Sequence, residues 1–250
     1  MTYLQWYNYR YLCFELEKYE RNRIFNAVIY PVAFVLIIGL VHLIQFVFEI
    51  SFSHYGVYPR DGKGLIGIIT SPLLHGSFSH LFNNSIPILI LGSSLFYFYK
   101  EIAFKVSIWI YLMVGIWTWV YAREAYHIGA SGLLYGLFSF LLVSGFIRKN
   151  AQLISLSFAV IFLYGSLVWG VFPIDVRISF EGHLWGFVAG IVLAIYYRKQ
   201  GPQKTVHEWE EEDELDDAYP YWKEGIEIKS SEQEVNYIYK PKEKNDKTNE

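Results

Sequence analysis

Gly129-Ala130-Ser131-Gly132-Leu133-Leu134-Tyr135-Gly136 heads an apolar stretch that runs to about residue 147 without a charged side chain. About 20 apolar residues are what an α-helix needs to cross a bilayer. Lipid penalises each buried polar group by several kcal/mol, so a serine kept at the head of such a helix reads as a group with a task. Two more polar sets hold matching places on other apolar stretches. They are His75-Gly76-Ser77-Phe78-Ser79-His80-Leu81-Phe82-Asn83-Asn84 and His183-Leu184-Trp185-Gly186-Phe187-Val188-Ala189-Gly190. A serine, histidines and an asparagine supply what a hydrolase needs for a nucleophile, a base and an oxyanion site.

Outward from these motifs, the length rule gives six spans, at about 25–48, 77–99, 103–122, 129–147, 152–172 and 179–197. The fourth and sixth are short and glycine-rich. Composition agrees: 53% of the 250 residues are hydrophobic and 19% aromatic, with a mean hydropathy of +0.23. Charged residues make up 18%, against about a quarter in soluble domains. The charge is uneven, since residues 201–250 hold 15 acidic residues against 7 lysines. The fold class expected is therefore an all-α membrane protein. It comprises an N-terminal or interfacial segment at 1–24, a six-transmembrane-helix bundle at 25–200 and an acidic tail at 201–250, too polar to build a core and expected to be disordered. Pro31 is placed in the first turns of span one, and Pro87 inside span two, where a kink is expected. Cys13 is the single cysteine, so no internal disulfide can form. Neither a cofactor nor nucleic-acid binding is indicated.

Orientation follows from the lysines and arginines. Arg10, Lys18, Arg21, Arg23, Lys100, Lys105, Arg148, Lys149, Arg198 and Lys199 lie on one side; Arg60, Lys63, Arg123 and Arg177 lie on the other. Both termini are then cytoplasmic, as an even number of spans requires, and the cell (inner) membrane of a bacterium is the expected location. Spans two, four and six all run inward. Their polar groups fall roughly 3–10 Å below the outer ends at 1.5 Å per residue. Three independent segments thus place reactive groups at one depth on one side.

Spacing along each helix carries the reading further. His80 and Asn84 are i,i+4, as are Ser131 and Tyr135; His183, Gly186 and Gly190 share one face. Gly132 with Gly136, and Gly186 with Gly190, are small-xxx-small pairs that let backbones approach in lipid. Packing through them brings Ser131 and His183 within hydrogen-bond reach. The chemistry implied is a Ser–His dyad, with the Ser131 backbone N–H, His80 and Asn84 as oxyanion donors. No carboxylate lies in the apolar body of these spans. Glu181 is assigned to the outer loop, and Tyr135 is the better candidate to orient the imidazole.

The ordered set H-x4-H-x3-N, G-x-S-G and H-x2-G-x3-G resembles the rhomboid family of intramembrane serine proteases over residues 25–197. The resemblance implies Ser131 as nucleophile, His183 as general base, His80 and Asn84 as oxyanion donors, Tyr135 packed on His183, and His75 in a structural role. It implies single-span membrane proteins as substrates, with span five and the loop near 173–179 as gate and cap. The family's first-loop Trp-Arg pair is absent; Arg60 after Pro59 is the nearest counterpart.

Three imidazoles suit zinc, but the five-residue step from His75 to His80 falls off one helical face. A transporter would place polar groups at the midplane, in inverted repeats. A non-catalytic rhomboid-like protein that binds transmembrane clients is the alternative function; a chain of that kind is expected to lack Ser131 or His183. His42 reads as a packed or hydrogen-bonded histidine, and His54, His127 and His207 as surface residues. Trp209, Tyr219 and Trp222 offer a docking motif for a cytoplasmic partner of the tail.

Overall fold

A computed structural model describes residues 3–174 and 179–203, with the backbone alone at 3–13 and 16. Apolar sequence in lipid must satisfy its backbone polar groups internally, and helices do so. Six long helices result: α1 (Tyr3–Val47), α2 (Phe78–Phe98), α3 (Ala103–Tyr121), α4 (Ser131–Arg148), α5 (Ala151–Tyr164) and α6 (Phe180–Tyr196). A 3-10 segment, Gly165–Val171, continues α5. Among the described residues five spans are long and apolar enough to cross a membrane, and α6, at 17 residues, falls just short. The tail assigned to disorder, residues 201–250, lies outside the described residues from 204 onward.

Start signals are visible in the side chains. The Ser77 hydroxyl caps α2 by accepting from the His80 backbone N–H at 3.1 Å. Asn150 caps α5 through Gln152 and Leu153, at 3.0 and 3.2 Å. Helix α4 differs, since Ala130 at its N-cap supplies no side-chain acceptor. The first N–H groups of α4 are thereby left available to a ligand.

Helix α1 departs from expectation. The aromatic N-terminal stretch is one unbroken 45-residue helix with span one, and Pro31 stands deep inside it. The ring of Pro31 is accommodated by Gly92 of α2, where a Cβ would come 2.9 Å from it. The cytoplasm-assigned end of α1 is tied to α2 by Glu20, which accepts from the Tyr97 hydroxyl at 3.1 Å, and by Arg23 over the Tyr97 ring at 4.1 Å. Pro87 lies within α2 without ending it.

The core is built around α4. Of its membrane-length window 72% is buried, against 22% for α1 and 11% for the α5 span. Helix α6 lies on α4 with almost no side chain between them. A Cβ on Gly186 would fall 2.1 Å from the Gly132 carbonyl oxygen, and one on Gly190 would fall 2.2 Å from that of Gly136. Ser139 adds a hydrogen bond to the Phe187 carbonyl at 2.8 Å. At the far end Arg148 donates to the Tyr197 and Pro202 carbonyls, at 2.7 and 2.9 Å. The two helices that carry Ser131 and His183 are thus clamped along their length and at one end.

Candidate active site

Ser131 is the first residue of α4, and His183 lies in the first turn of α6. The glycine contact brings their side chains together: Ser131 Oγ is 2.9 Å from His183 Nε2. The other ring nitrogen, Nδ1, is 2.9 Å from the Gly170 carbonyl. A carbonyl only accepts, so Nδ1 carries the hydrogen and Nε2 is the bare nitrogen facing the serine hydroxyl. Tyr135 stacks on the imidazole, with ring centroids 4.3 Å apart and planes 6° from parallel. His183 is 8% exposed, and its ring is held on one face by Tyr135 and at both nitrogens.

Gly170 was not singled out in the sequence, and its role is carried by backbone, which leaves no side-chain signal. Its lack of a Cβ has a packing reason: one built there would stand 1.9 Å from the Tyr135 hydroxyl. Glu181 is corrected in place. It belongs to the buried first turn of α6 rather than to a loop, and its carboxylate pairs with Arg123 at 3.6 Å.

The asparagine and histidines of α2 form the opposite wall. Asn84, 3% exposed, gives one amide hydrogen to His75 Nε2 at 3.1 Å, which fixes the amide plane and leaves a second N–H. His75 must be neutral to accept that bond. Burial holds its pKa down to about 4, helped by the neighbouring His80 charge. The His80 ring lies 5.0 Å from that of His75 and passes close over the loop before Ser131. A Cβ on Gly129 would come within 2.7 Å of the His80 ring, and Gly129 has a φ of +110°, so both space and backbone exclude a side chain there. Its N–H is anchored to the Ser71 carbonyl at 2.8 Å.

His42, read as a packed or hydrogen-bonded histidine, is one: its Nδ1 lies 3.0 Å from the His75 carbonyl. Gln45 reaches the same carbonyl at 3.5 Å. Two polar groups at i,i+3 on one face of an apolar span were the available signal. His127 is a correction, since it is 5% exposed rather than on the surface. His75 Nε2 is committed to Asn84, and the two nitrogens of His183 to Ser131 and Gly170.

His80, Asn84, Ser131, Tyr135 and His183 all line one cleft of about 890 Å³, with Ser77, Asn83, Arg123 and Tyr126 among its other walls. Behind Ser131 a second cavity of about 30 Å³, lined by Thr118, His127, Gly132 and Ser179, has room for a water molecule. Of the expected site residues, Gly132, Gly186 and Gly190 make the helix contact; the others face the cleft or the residues that line it.

A rhomboid-domain family model matches residues 62–200. Uncharacterized proteins of Mycobacterium tuberculosis and Mycobacterium bovis are 35% identical over 182 residues, covering 67% of this chain and 74% of theirs. One from Mycobacterium leprae is 31% identical over 202 residues, covering 74% of this chain and 77% of its own. The chain belongs to the rhomboid family and is a multi-pass membrane protein.

Proposed function

We propose that this chain is an intramembrane serine endopeptidase that cleaves single-span membrane proteins in or near the bilayer. The observation that carries the reading is the 2.9 Å contact between Ser131 Oγ and the unprotonated His183 Nε2, at the uncapped head of a buried helix. Ser131 attacks the scissile carbonyl and gives its proton to Nε2. The imidazolium formed is held by its Nδ1–H bond to Gly170 and by the Tyr135 ring, not by a carboxylate. The tetrahedral oxyanion is received by the Ser131 backbone N–H, the free Asn84 amide hydrogen and His80, with the positive end of the α4 dipole behind it. His183 protonates the leaving amine, and water then releases the acyl group by the reverse proton path.

The substrate enters laterally, with α5 and the following loop as gate and cap; residues 175–178 of that loop lie outside the described residues. Lysine and arginine bias supports cytoplasmic termini in a bacterial cell membrane, with the cleft on the opposite side. Purified protein incubated with a tagged single-span substrate tests the proposal. Wild type yields two fragments on a gel, while Ser131→Ala and His183→Ala yield none and remain folded. Intact substrate with wild type, retained in a pull-down, would favour a client-binding rhomboid without protease activity. Cleavage by Ser131→Ala would remove the site assignment altogether.

A further inference from the structure

His127 is where three segments meet. Its backbone pairs with Val57 of the first loop, N–H to carbonyl at 2.8 Å and carbonyl to N–H at 3.0 Å. Its ring nitrogen Nε2 lies 3.0 Å from the Arg123 carbonyl, which only accepts, so Nε2 carries the hydrogen. Nδ1 is then an acceptor, 2.6 Å from the Ser179 hydroxyl. Ser179 is the N-cap of α6: its hydroxyl accepts from the Gly182 N–H at 3.4 Å, and its carbonyl accepts from the His183 N–H at 3.3 Å.

The two tethered residues stand in matching places. His127 precedes Ser131 by four residues, and Ser179 precedes His183 by four. The chain from Ser131 back to His127, across to Ser179, forward to His183 and across to Ser131 closes a ring with the dyad bond as one side. We infer that His127 is a positioning residue of this dyad, which holds the Ser131 loop against the cap of α6. The inference rests on the protease reading above.

A second proton on the ring would reverse this bond, with Nδ1–H donating to the Ser179 hydroxyl oxygen, so the tether holds in either charge state. Among the described residues, the charged groups facing the ring are Arg123, which disfavours a second cation, and Glu181, which favours it. Burial is the largest influence and keeps the ring neutral below the ordinary histidine range, with the Arg123 charge acting the same way. Alternatives for such a buried histidine are a metal ligand or a core filler. Both nitrogens are engaged by oxygen partners of opposite hydrogen-bonding sense, which suits neither.

Full-length protein in detergent, with a single-span substrate, tests this through kcat and KM. His127→Ala and Ser179→Ala should each lower kcat ten- to a hundredfold with KM little changed, because small misplacements of a dyad are that costly. The double variant should lose less than the product of the two single losses, since both remove the shared bond. Ser179→Thr, which keeps the hydroxyl, should restore most of the rate. Losses that multiply in the double variant, or kcat unchanged in both singles, would overturn the positioning role. Lack of any turnover by wild type would instead sink the protease reading and this inference together. If His127→Ala fails to fold, Ser179→Ala and its rescue by Ser179→Thr still decide.

Discussion

Gly170 shows what single residues settle here. Among the described residues the partner behind His183 is a carbonyl rather than a carboxylate; it fixes the tautomer, and the absence of a Cβ lets Tyr135 lie flat on the ring. Gly170→Ala is expected to cut turnover about a hundredfold by pushing Tyr135 and His183 out of register. Removing the hydroxyl that the new methyl would strike, in Gly170→Ala/Tyr135→Phe, should recover part of it. Kinetics on the two variants and on Tyr135→Phe alone check this, and a double variant no better than Gly170→Ala would point to backbone strain instead. His75 gives a pH prediction. Its folded pKa of about 4 lies below the ordinary 6.5, so between these values the unfolded chain takes up a proton that the folded one does not. The stability it supports is complete above about pH 6.5 and is lost as pH falls towards 4. Melting temperature in detergent should fall across that window, and more shallowly in His75→Gln.

At the scale of elements the decisive contact is α4 against α6. The groups that a Gly186 side chain would meet are backbone atoms of Gly132, which cannot swing aside as a flexible side chain can. Gly186→Val should therefore separate the helices by an ångström or more and abolish measurable cleavage with every reactive group intact. Labelling of Ser131 by a fluorophosphonate probe should fall in parallel, since the serine loses its base. Full labelling in Gly186→Val would mean that the glycines do not set the spacing. The α2 wall is expected to grade differently. Asn84→Ala removes one oxyanion donor, a loss of ~2.7–4 kcal/mol in transition-state stabilisation, so slow but measurable cleavage should remain.

Across the whole molecule, the chemistry collects at one end of the bundle and the clamp at the other. Arg148 and Asn150 hold Pro202 and Gln203 by their carbonyls, at 2.9 and 3.0 Å, so the described fold uses the chain up to Gln203. A chain ending at Gln203 should insert, keep its melting temperature and cut a model substrate near the full-length rate. One ending at Tyr197 should melt lower, because the carbonyl partners beyond it are gone and Arg148 is left buried with fewer acceptors. A tenfold loss of turnover in the Gln203 form, with unchanged melting, would couple the acidic tail to catalysis.

By itself the sequence determined the class of fold, because membrane length and hydropathy leave a chain in lipid few alternatives to spanning helices. It also set Ser131, His183, His80 and Asn84 near one end of their spans, because depth along a helix is a matter of counting residues. Its small-xxx-small spacing was legible for the same reason: a helix face repeats at a fixed period. Only the tertiary structure decided what stands behind each group. Glu181 turned to Arg123 rather than to His183, and His127 went inward rather than to the surface. His42 met His75, and the Gly170 carbonyl took the place of a third catalytic side chain. These partners lie in loops or are backbone atoms. Their positions depend on how separate segments fold back on one another, which no local period in the chain encodes.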